Sequence, residues 1–277
     1  MSLDRPRRPG PTVRTRVRVL LESGERQHED RLATEEPLEI RLAWPGAPAR
    51  RVWVTMRTPG HDFELAAGWL VHEGLCPPAA IHGVAYCTDV SLAPEEEFNV
   101  VTVTLSAPPL REPGHRHVGQ SSGSSACGVC GKDSVSAALD VPSSPRWTGA
   151  LPAPSVVRSL PALIETHQQV FDRTGGVHAA ALTTAAGEVL VVREDVGRHN
   201  AVDKVTGARV LAGADPAEAC LVVSGRAGFE LVQKAVAVGV GSLVAVGAPT
   251  SLSVRLAESS GLALYGFTRA DRVVRYA

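Results

Sequence analysis

Residues Ala219–Arg269 read ACLVVSGRAGFELVQKAVAVGVGSLVAVGAPTSLSVRLAESSGLALYGFTR, and their periodicity decides the fold. Short apolar runs, ACLVVSG, SLVAVGA and LALYGFTR, read as buried strands. Between them FELVQKAVAVG and LSVRLAESSG carry the helical period. Strands alternating with helices imply βαβ units and a mostly parallel sheet. Working backwards, NAVDKVTGARVLAG predicts a helix with Asn200 as N-cap and Asp203 three residues on. VHAAALTTAAGEVLVVRED predicts a hairpin. SLPALIETHQQVFDRTGG predicts a single helix with Leu160, Leu163, Ile164 and Phe171 inward, closed by Gly175.

The amino-terminal part has a different pattern. VRTRVRVLL, LEIRLAW, RVWVTMR and FNVVTVTLSA alternate with period two and predict strands. One helix interrupts them, DFELAAGWLVHEG, with Asp62 placed to cap its start and Gly74 its end. Between the two parts runs APPLREPGHRHVGQSSGSS, a linker composition. The organisation expected is a disordered tail over 1–14, a mainly β domain over 15–110, a mobile loop over 111–135, and an α/β domain over 150–277. The fold class expected is α+β overall.

The chain has 277 residues and a formal net charge of -1, so it carries no field for a polyanion, and no nucleic-acid partner is expected. Only Lys132, Lys204 and Lys234 among its 28 basic residues are lysine. Arginine suits phosphate, although a compositional bias of the genome explains the same excess. The amino terminus has no apolar stretch of the kind a secretory signal needs. The uncharged run Ala235–Val254 is broken by glycine and proline, so no membrane span is expected. Five cysteines, an odd number, argue against a secreted disulfide framework and for a cytoplasmic setting.

In a parallel sheet, ligands bind beyond the carboxyl ends of the strands. Here those ends read REDVGRHN, SGRAGFE, GAPTSL and GFTRADR. They concentrate Gly, Arg, His, Asp, Ser and Thr, and gather Arg198, Arg226, Arg269 and Arg272 near helix N-termini, where anions are favoured. The same glycines and serines also serve as ordinary turn and cap residues.

Several motifs fail. GVCGKDS has Asp133 where a phosphate-binding loop needs Ser or Thr. HEG at His72 lacks the second histidine of a zinc protease. His178 is followed by Ala-Ala, not the x-Glu of a zinc deaminase. The pair Cys127 and Cys130 in SSACGVCGK remains. It reads as half a zinc site, with His115 and His117 upstream and Cys76, Cys87 and Cys220 scattered. It reads equally as a dithiol redox pair. A third reading is a sulfur carrier, whose thiolate is favoured by Lys132 and a following helix start. Polar surroundings disfavour a buried structural pair.

The segments EEPLEI, TMRTPGHDFELAAGWLVHEG, SSACGVCGK, TGGVHAAAL, REDVGRHNAVDKV, SGRAGFELVQKA, APTSLSVRLAE and GLALYGFTR, in that order, resemble the formate dehydrogenase accessory sulfurtransferase family FdhD. The resemblance implies a carboxyl-terminal three-layer α/β/α domain similar to cytidine deaminases without their zinc. It implies a cytoplasmic homodimer that takes persulfide sulfur from a cysteine desulfurase. That sulfur goes to the molybdenum bis-(molybdopterin guanine dinucleotide) cofactor needed by formate dehydrogenase. The persulfide residue carries over to Cys127, with Cys130 beside it. The guanine dinucleotide contact carries over to Phe267, Thr268, Arg269, Ala270, Asp271 and Arg272, with Arg198, His199, Ser224 and Arg226 as further ligand contacts. A GDP-like nucleotide fits the same expectation. The alternatives are a cofactor-holding chaperone without sulfur chemistry and a zinc or redox Cys-x-x-Cys protein.

Overall fold

A computed structural model describes residues 8–88, 92–93, 96–113, 141–142 and 144–277. Strands β1 (Thr12–Leu21) and β2 (Gly24–Ala33) form an antiparallel two-stranded ribbon. β1 thus begins inside the stretch expected as a tail. Thr12, Val13 and Arg14 pair with Ala33, Leu32 and Arg31, because the alternation that marks the strand extends back to them.

The next sheet has the order β4-β3-β6-β5, from β3 (Glu36–Trp44), β4 (Ala47–Arg57), β5 (Ile81–Tyr86) and β6 (Val100–Leu105). Its alternation is strict where it matters. Leu38, Ile40 and Leu42 of β3 join Val101, Val103 and Leu105 of β6 in one core, against Leu65, Ala66, Trp69 and Leu70 of α1 (Asp62–His72). Trp53 stacks on Trp69 with centroids 4.8 Å apart. His61, with φ of 57°, occupies the N-cap of α1, and no side chain caps it. The Asp62 carboxylate is taken instead by Arg57 Nε–H at 2.9 Å and the Tyr86 hydroxyl at 2.7 Å.

The third sheet has six strands in the order β12-β11-β10-β9-β7-β8: β7 (His178–Thr183), β8 (Val189–Asp195), β9 (Cys220–Val223), β10 (Ser242–Ala245), β11 (Ala263–Gly266) and β12 (Val274–Arg275). Its residues alternate between two cores. Ala180, Leu182, Leu221, Val223, Leu243, Ala245 and Leu264 face α4 (Arg198–Leu211), α5 (Phe229–Ala237) and α6 (Ser251–Ser260). Ala179, Ala181, Cys220, Val222, Val244, Ala263 and Tyr265 face α2 (Pro154–Glu165). The result is three layers, helix on sheet on helix, and the molecule is α+β overall.

Three expectations change. The sheet is mixed: only β9–β10 and β10–β11 pair in parallel, because β7 inserts antiparallel between β8 and β9 and β12 closes the far edge antiparallel. The single helix expected over residues 159–176 is two, α2 and α3 (Gln169–Thr174), and Phe171 is exposed. The chain turns at Thr166 and His167, where the Thr166 hydroxyl donates back to Leu163 O, a local competitor of the helix. Gly197, not Asn200, is the N-cap of α4. Asn200 lies one turn inside, and its amide donates to Met56 O and Asp195 Oδ1.

Helices α1 and α4 cross with backbones in contact. A Cβ on Gly68 would lie 1.9 Å from Asp203 O, and one on Gly207 would lie 1.8 Å from Glu64 O. Two glycines in helix interiors, each costing roughly 0.5–1 kcal/mol against alanine, are explained by this approach.

Candidate functional site

A polar junction ties the four-stranded sheet to the rim of the six-stranded one. Asp195, at the end of β8, is fully buried. Its Oδ2 accepts from Thr58 N–H at 3.1 Å and lies 2.7 Å from Lys204 Nζ. Its Oδ1 accepts from Gly197 N–H and the Asn200 amide. Lys204 also donates to Thr58 O. Every partner of this buried pair is therefore supplied. Behind it, Asp203 Oδ1 accepts from His72 Nδ1–H and Lys234 Nζ, both at 2.6 Å, and His72 Nε2 accepts from the Thr206 hydroxyl. Burial first, then the Lys234 charge, push His72 below its usual range, so the ring is neutral, although the Asp203 hydrogen bond opposes this. Glu64 is held down to about 2: burial opposes that direction, and the Arg193 fork, at 2.5 and 2.7 Å, overcomes it. Sequence reading had placed REDVGRHN at a strand-end ligand site. Much of it is instead the frame that fixes the rim.

The rim encloses a cleft of about 710 Å³ at the carboxyl ends of β8 to β11. The strand-end side is Val196, Ser224, Val246, Thr268, Arg269 and Ala270. The opposite wall is helical: Arg158, Pro161, Ala162 and Glu165 from α2, then Gln168 and Phe171. The Glu194 carboxylate accepts from Val170 and Phe171 N–H and pins α3 to β8. His178 enters because β7 runs backwards. Its first residue pairs with Asp195, the last of β8, and so meets the carboxyl ends of the other strands. Burial, then the charge of Arg198, lower the His178 pKa, while Asp195 opposes them; the imidazole is neutral at pH 7.

Of the ten ligand residues expected, Ser224, Thr268, Arg269 and Ala270 line the cleft. Ser224 Oγ accepts from Ala179 N–H, which fixes the hydroxyl at the strand end. Thr268 is fully buried, and its hydroxyl has no hydrogen-bond partner, which is costly. Arg269 donates from Nη1 to Val246 O and Thr268 O, both at 2.8 Å. Phe267, at φ 47°, lies under the Arg272 guanidinium. Asp271 and Arg272 form an exposed turn outside the cleft lining. Arg198 starts α4 close enough for its charge to act on His178. His199 is buried with Nε2 3.0 Å from Glu230, joining α4 to α5, and Arg226 is exposed with its stem against Gly247. Sequence reading missed Arg158, Glu165, Gln168, Phe171 and His178. The period-3.6 pattern carried only their apolar neighbours.

Cys127 and Cys130 lie outside the described residues, as do His115, His117 and Lys132. The described residues on either side of that segment meet at Gly74. Arg111 donates to Glu73 O, and Pro142 packs on Gly74. Ser144 then donates to Ala237 O, and Trp147 covers Gly241, at the amino end of β10. Cys76 and Cys220 are not nucleophiles, since burial pushes their thiols up to about 12 and about 11. Among the described residues no helix is long and apolar enough to cross a membrane.

The sequence model of the FdhD/NarQ family matches residues 33–277. The chain belongs to the FdhD/NarQ family. Among its relatives are the sulfur carrier protein FdhD of Mycolicibacterium paratuberculosis, 46% identical over 96% of both chains, and that of Streptomyces avermitilis, 45% identical over 96% of this chain and 94% of the relative. The protein of that name from Thermoplasma volcanium is 39% identical over 88% and 86%. A solved structure described as a formate dehydrogenase accessory protein from Desulfotalea psychrophila superposes with a TM-score of 0.71 over 96% of both chains at 22% identity, which establishes the shared fold. The family match begins at residue 33, so nearly all of the β1–β2 ribbon lies before it.

Proposed function

We propose that this FdhD/NarQ protein is a sulfur carrier serving formate dehydrogenase, and that it works through a persulfide on Cys127. A cysteine desulfurase is the donor. The Cys127 thiolate attacks the terminal sulfur of the donor persulfide. A new S–S bond forms, the donor's S–S bond breaks, and the donor cysteine leaves as thiolate. The substrate that receives this sulfur is the molybdenum bis-(molybdopterin guanine dinucleotide) cofactor, held in the strand-end cleft of a cytoplasmic homodimer. On delivery the acceptor supplies the electron pair that bonds the outer sulfur, the S–S bond to Cys127 breaks, and Cys127 departs as thiolate.

The observation that carries the cofactor side is the 710 Å³ strand-end cleft, with the Ser224 hydroxyl and Arg269 on its wall. Arginine beside it favours an anion, and charge-assisted contacts of this kind are the strong ones. His178 stays neutral, so it offers one donor and one acceptor without adding charge.

The test is incubation with a desulfurase and cysteine, followed by peptide mass spectrometry. Added sulfur is expected on the Cys127 peptide and absent from Cys127→Ala. Sulfur found only on Cys76, Cys87 or Cys220 refutes the assignment. Full formate dehydrogenase activity in cells carrying only Cys127→Ala refutes sulfur carriage and leaves a holding role.

A further inference from the structure

A second hollow, of about 430 Å³, lies at the other end of the six-stranded sheet. Gly241, just before the amino end of β10, is on its wall, whereas Val246, past the carboxyl end of the same strand, lines the cleft. Its inner side is apolar, with Val236 of α5, Leu256 of α6, Val240 and Leu262. Its outer side is the stretch 144–151, with Trp147 and Leu151. That stretch is seated on glycines. A Cβ would lie 2.2 Å from Pro145 O at Gly239, 2.6 Å from the Trp147 ring at Gly241 and 2.6 Å from the Arg146 guanidinium at Gly261, so the hollow is built into the fold. The serine hydroxyls on its wall are spent on backbone: Ser144 donates to Ala237 O, and Ser259 and Ser260 donate to Leu256 O. The Trp147 indole N–H donates to Ala150 O. Among the described residues, Arg146 is the one charged group on the wall. It gives Nη2–H to Ser259 O at 3.3 Å and stays exposed, with further N–H groups to offer. Leu151 is 40% exposed beside it, and exposed apolar surface rimmed by polar groups marks a contact site. An apolar recess with a single cation takes an apolar side chain that has a carboxylate next to it.

The position of the recess decides the partner. Val141, the first residue described after the segment that holds Cys127, is on its wall. Pro142 follows and packs on Gly74 beside Arg111, from the near side of the same segment. A protein seated in the recess is therefore at the base of the thiol segment, and the strand-end cleft stays open for the acceptor. We infer that this recess docks the sulfur donor, through an apolar anchor side chain whose neighbouring carboxylate meets Arg146. The inference rests on the proposed persulfide role of Cys127, and it assigns the surface on which the donor is held while the thiolate attacks. An anchor side chain in a preformed pocket is the kind of contact that carries most of the affinity of an interface. A charge at the rim adds chiefly to the rate of encounter.

The test follows sulfur arriving on the Cys127 peptide of the full chain by mass spectrometry, as purified desulfurase is varied at saturating cysteine. Leu151→Arg should raise the half-saturating desulfurase concentration about tenfold and leave the limiting rate within about twofold of native. Arg146→Glu should raise it about threefold, and Arg146→Lys should restore it. Sodium tetrasulfide is the control donor: the Cys127 thiolate takes its terminal sulfur and trisulfide leaves, with no docking step. All three variants should react with it at the native rate, which a disturbed fold or thiol segment would not allow. Native half-saturation in both Leu151→Arg and Arg146→Glu overturns the inference and leaves the carrier reading standing. A lower limiting rate with tetrasulfide slowed equally also overturns it, because the effect then lies at the thiol. A tetrasulfide rate that rises in Leu151→Arg makes the thiol segment itself the occupant of the recess, against the inference. A native dimer that sediments as a monomer in Leu151→Arg, with half-saturation unchanged, makes the recess a subunit contact instead. If the native chain takes sulfur from tetrasulfide but from no desulfurase, the proposed function itself is refuted and this inference falls with it.

Discussion

Replacing Gly207 by alanine tests the arrangement on which the rim depends. The new methyl would sit 1.8 Å from Glu64 O, whereas real Cβ atoms essentially never come within 3.0 Å of another heavy atom, so α1 and α4 must part by at least 3.0 − 1.8 = 1.2 Å. The obstacle is backbone, so no side chain can swing away. Alanine gains about 1 kcal/mol of helix propensity over glycine. Against that, overpacking of a close-packed contact costs about 1–3 kcal/mol. Opening the crossing also disturbs the buried His72–Asp203–Lys234 cluster, which sits at the same contact. Breaking such a group costs about 3–5 kcal/mol. The sum favours a loss of at least about 3 kcal/mol. Equilibrium urea unfolding followed by circular dichroism measures it as a fall in midpoint. Gly228→Ala is the control, since nothing lies within 4 Å of a Cβ there and its φ is -75°. A Gly207→Ala protein as stable as the Gly228→Ala protein refutes the close crossing.

Asp195→Ala is expected to cost about 3–5 kcal/mol, because it strands Lys204 in a buried site. Lys204→Met should cost clearly less, since Asp195 keeps the Thr58 and Gly197 N–H groups and the Asn200 amide; the reverse ranking in urea unfolding contradicts this account of the junction. Glu64 has a depressed pKa, so its contribution is complete above its ordinary 4.5 and is lost as pH falls from there to about 2. Unfolding midpoints measured through that window should fall less steeply in Arg193→Met than in the native chain, and identical slopes rule out the pair as the cause. Arg269→Ala should weaken GDP binding about tenfold in calorimetry, and unchanged affinity removes Arg269 from the phosphate contacts.

What the sequence made legible follows from what each pattern encodes. The period-two runs of β3 and β6 and the helical period of α5 and α6 report burial on one face, and those elements appear where expected. Sheet order is not written in any local period. Nothing in VHAAALT says that β7 inserts between β8 and β9, so His178 at the cleft was invisible. Its surroundings had been judged only against a deaminase motif. Asn200 had the right residue type for an N-cap, and tertiary contacts with Met56 and Asp195 drew it one turn inside α4. Phe171 was read as inward because an apolar residue in a helical pattern defaults to the core. The break at Thr166 turned it outward, to the cleft. Arg57 is fully buried, where an arginine ordinarily keeps to the surface. Its guanidinium instead bonds Asp62 and Asn99, a pairing no local spacing announces.

On the proposed function, capture and delivery of sulfur are separable. Every residue lining the cleft lies between Arg158 and Ala270, on the strand-end rim or on the facing wall from Arg158 to Val177. The described residues that flank the Cys127 segment are fastened at Gly74, Ala237 and Gly241, and the last two precede the amino end of β10. Val246, which follows the carboxyl end of the same strand, lines the cleft. No cleft contact runs through the flanking residues, so a Cys127→Ala protein should retain its full affinity for GDP while supplying no nucleophile. An Arg269→Ala protein should accept sulfur from the desulfurase at the native rate and deliver it poorly, because the acceptor is no longer held in place. The pair of variants therefore gives opposite failures in two assays, persulfide mass and nucleotide affinity, with the same loss of formate dehydrogenase activity. If Arg269→Ala also abolished persulfide formation, sulfur capture and cofactor binding would not be independent, and this division of labour would be wrong.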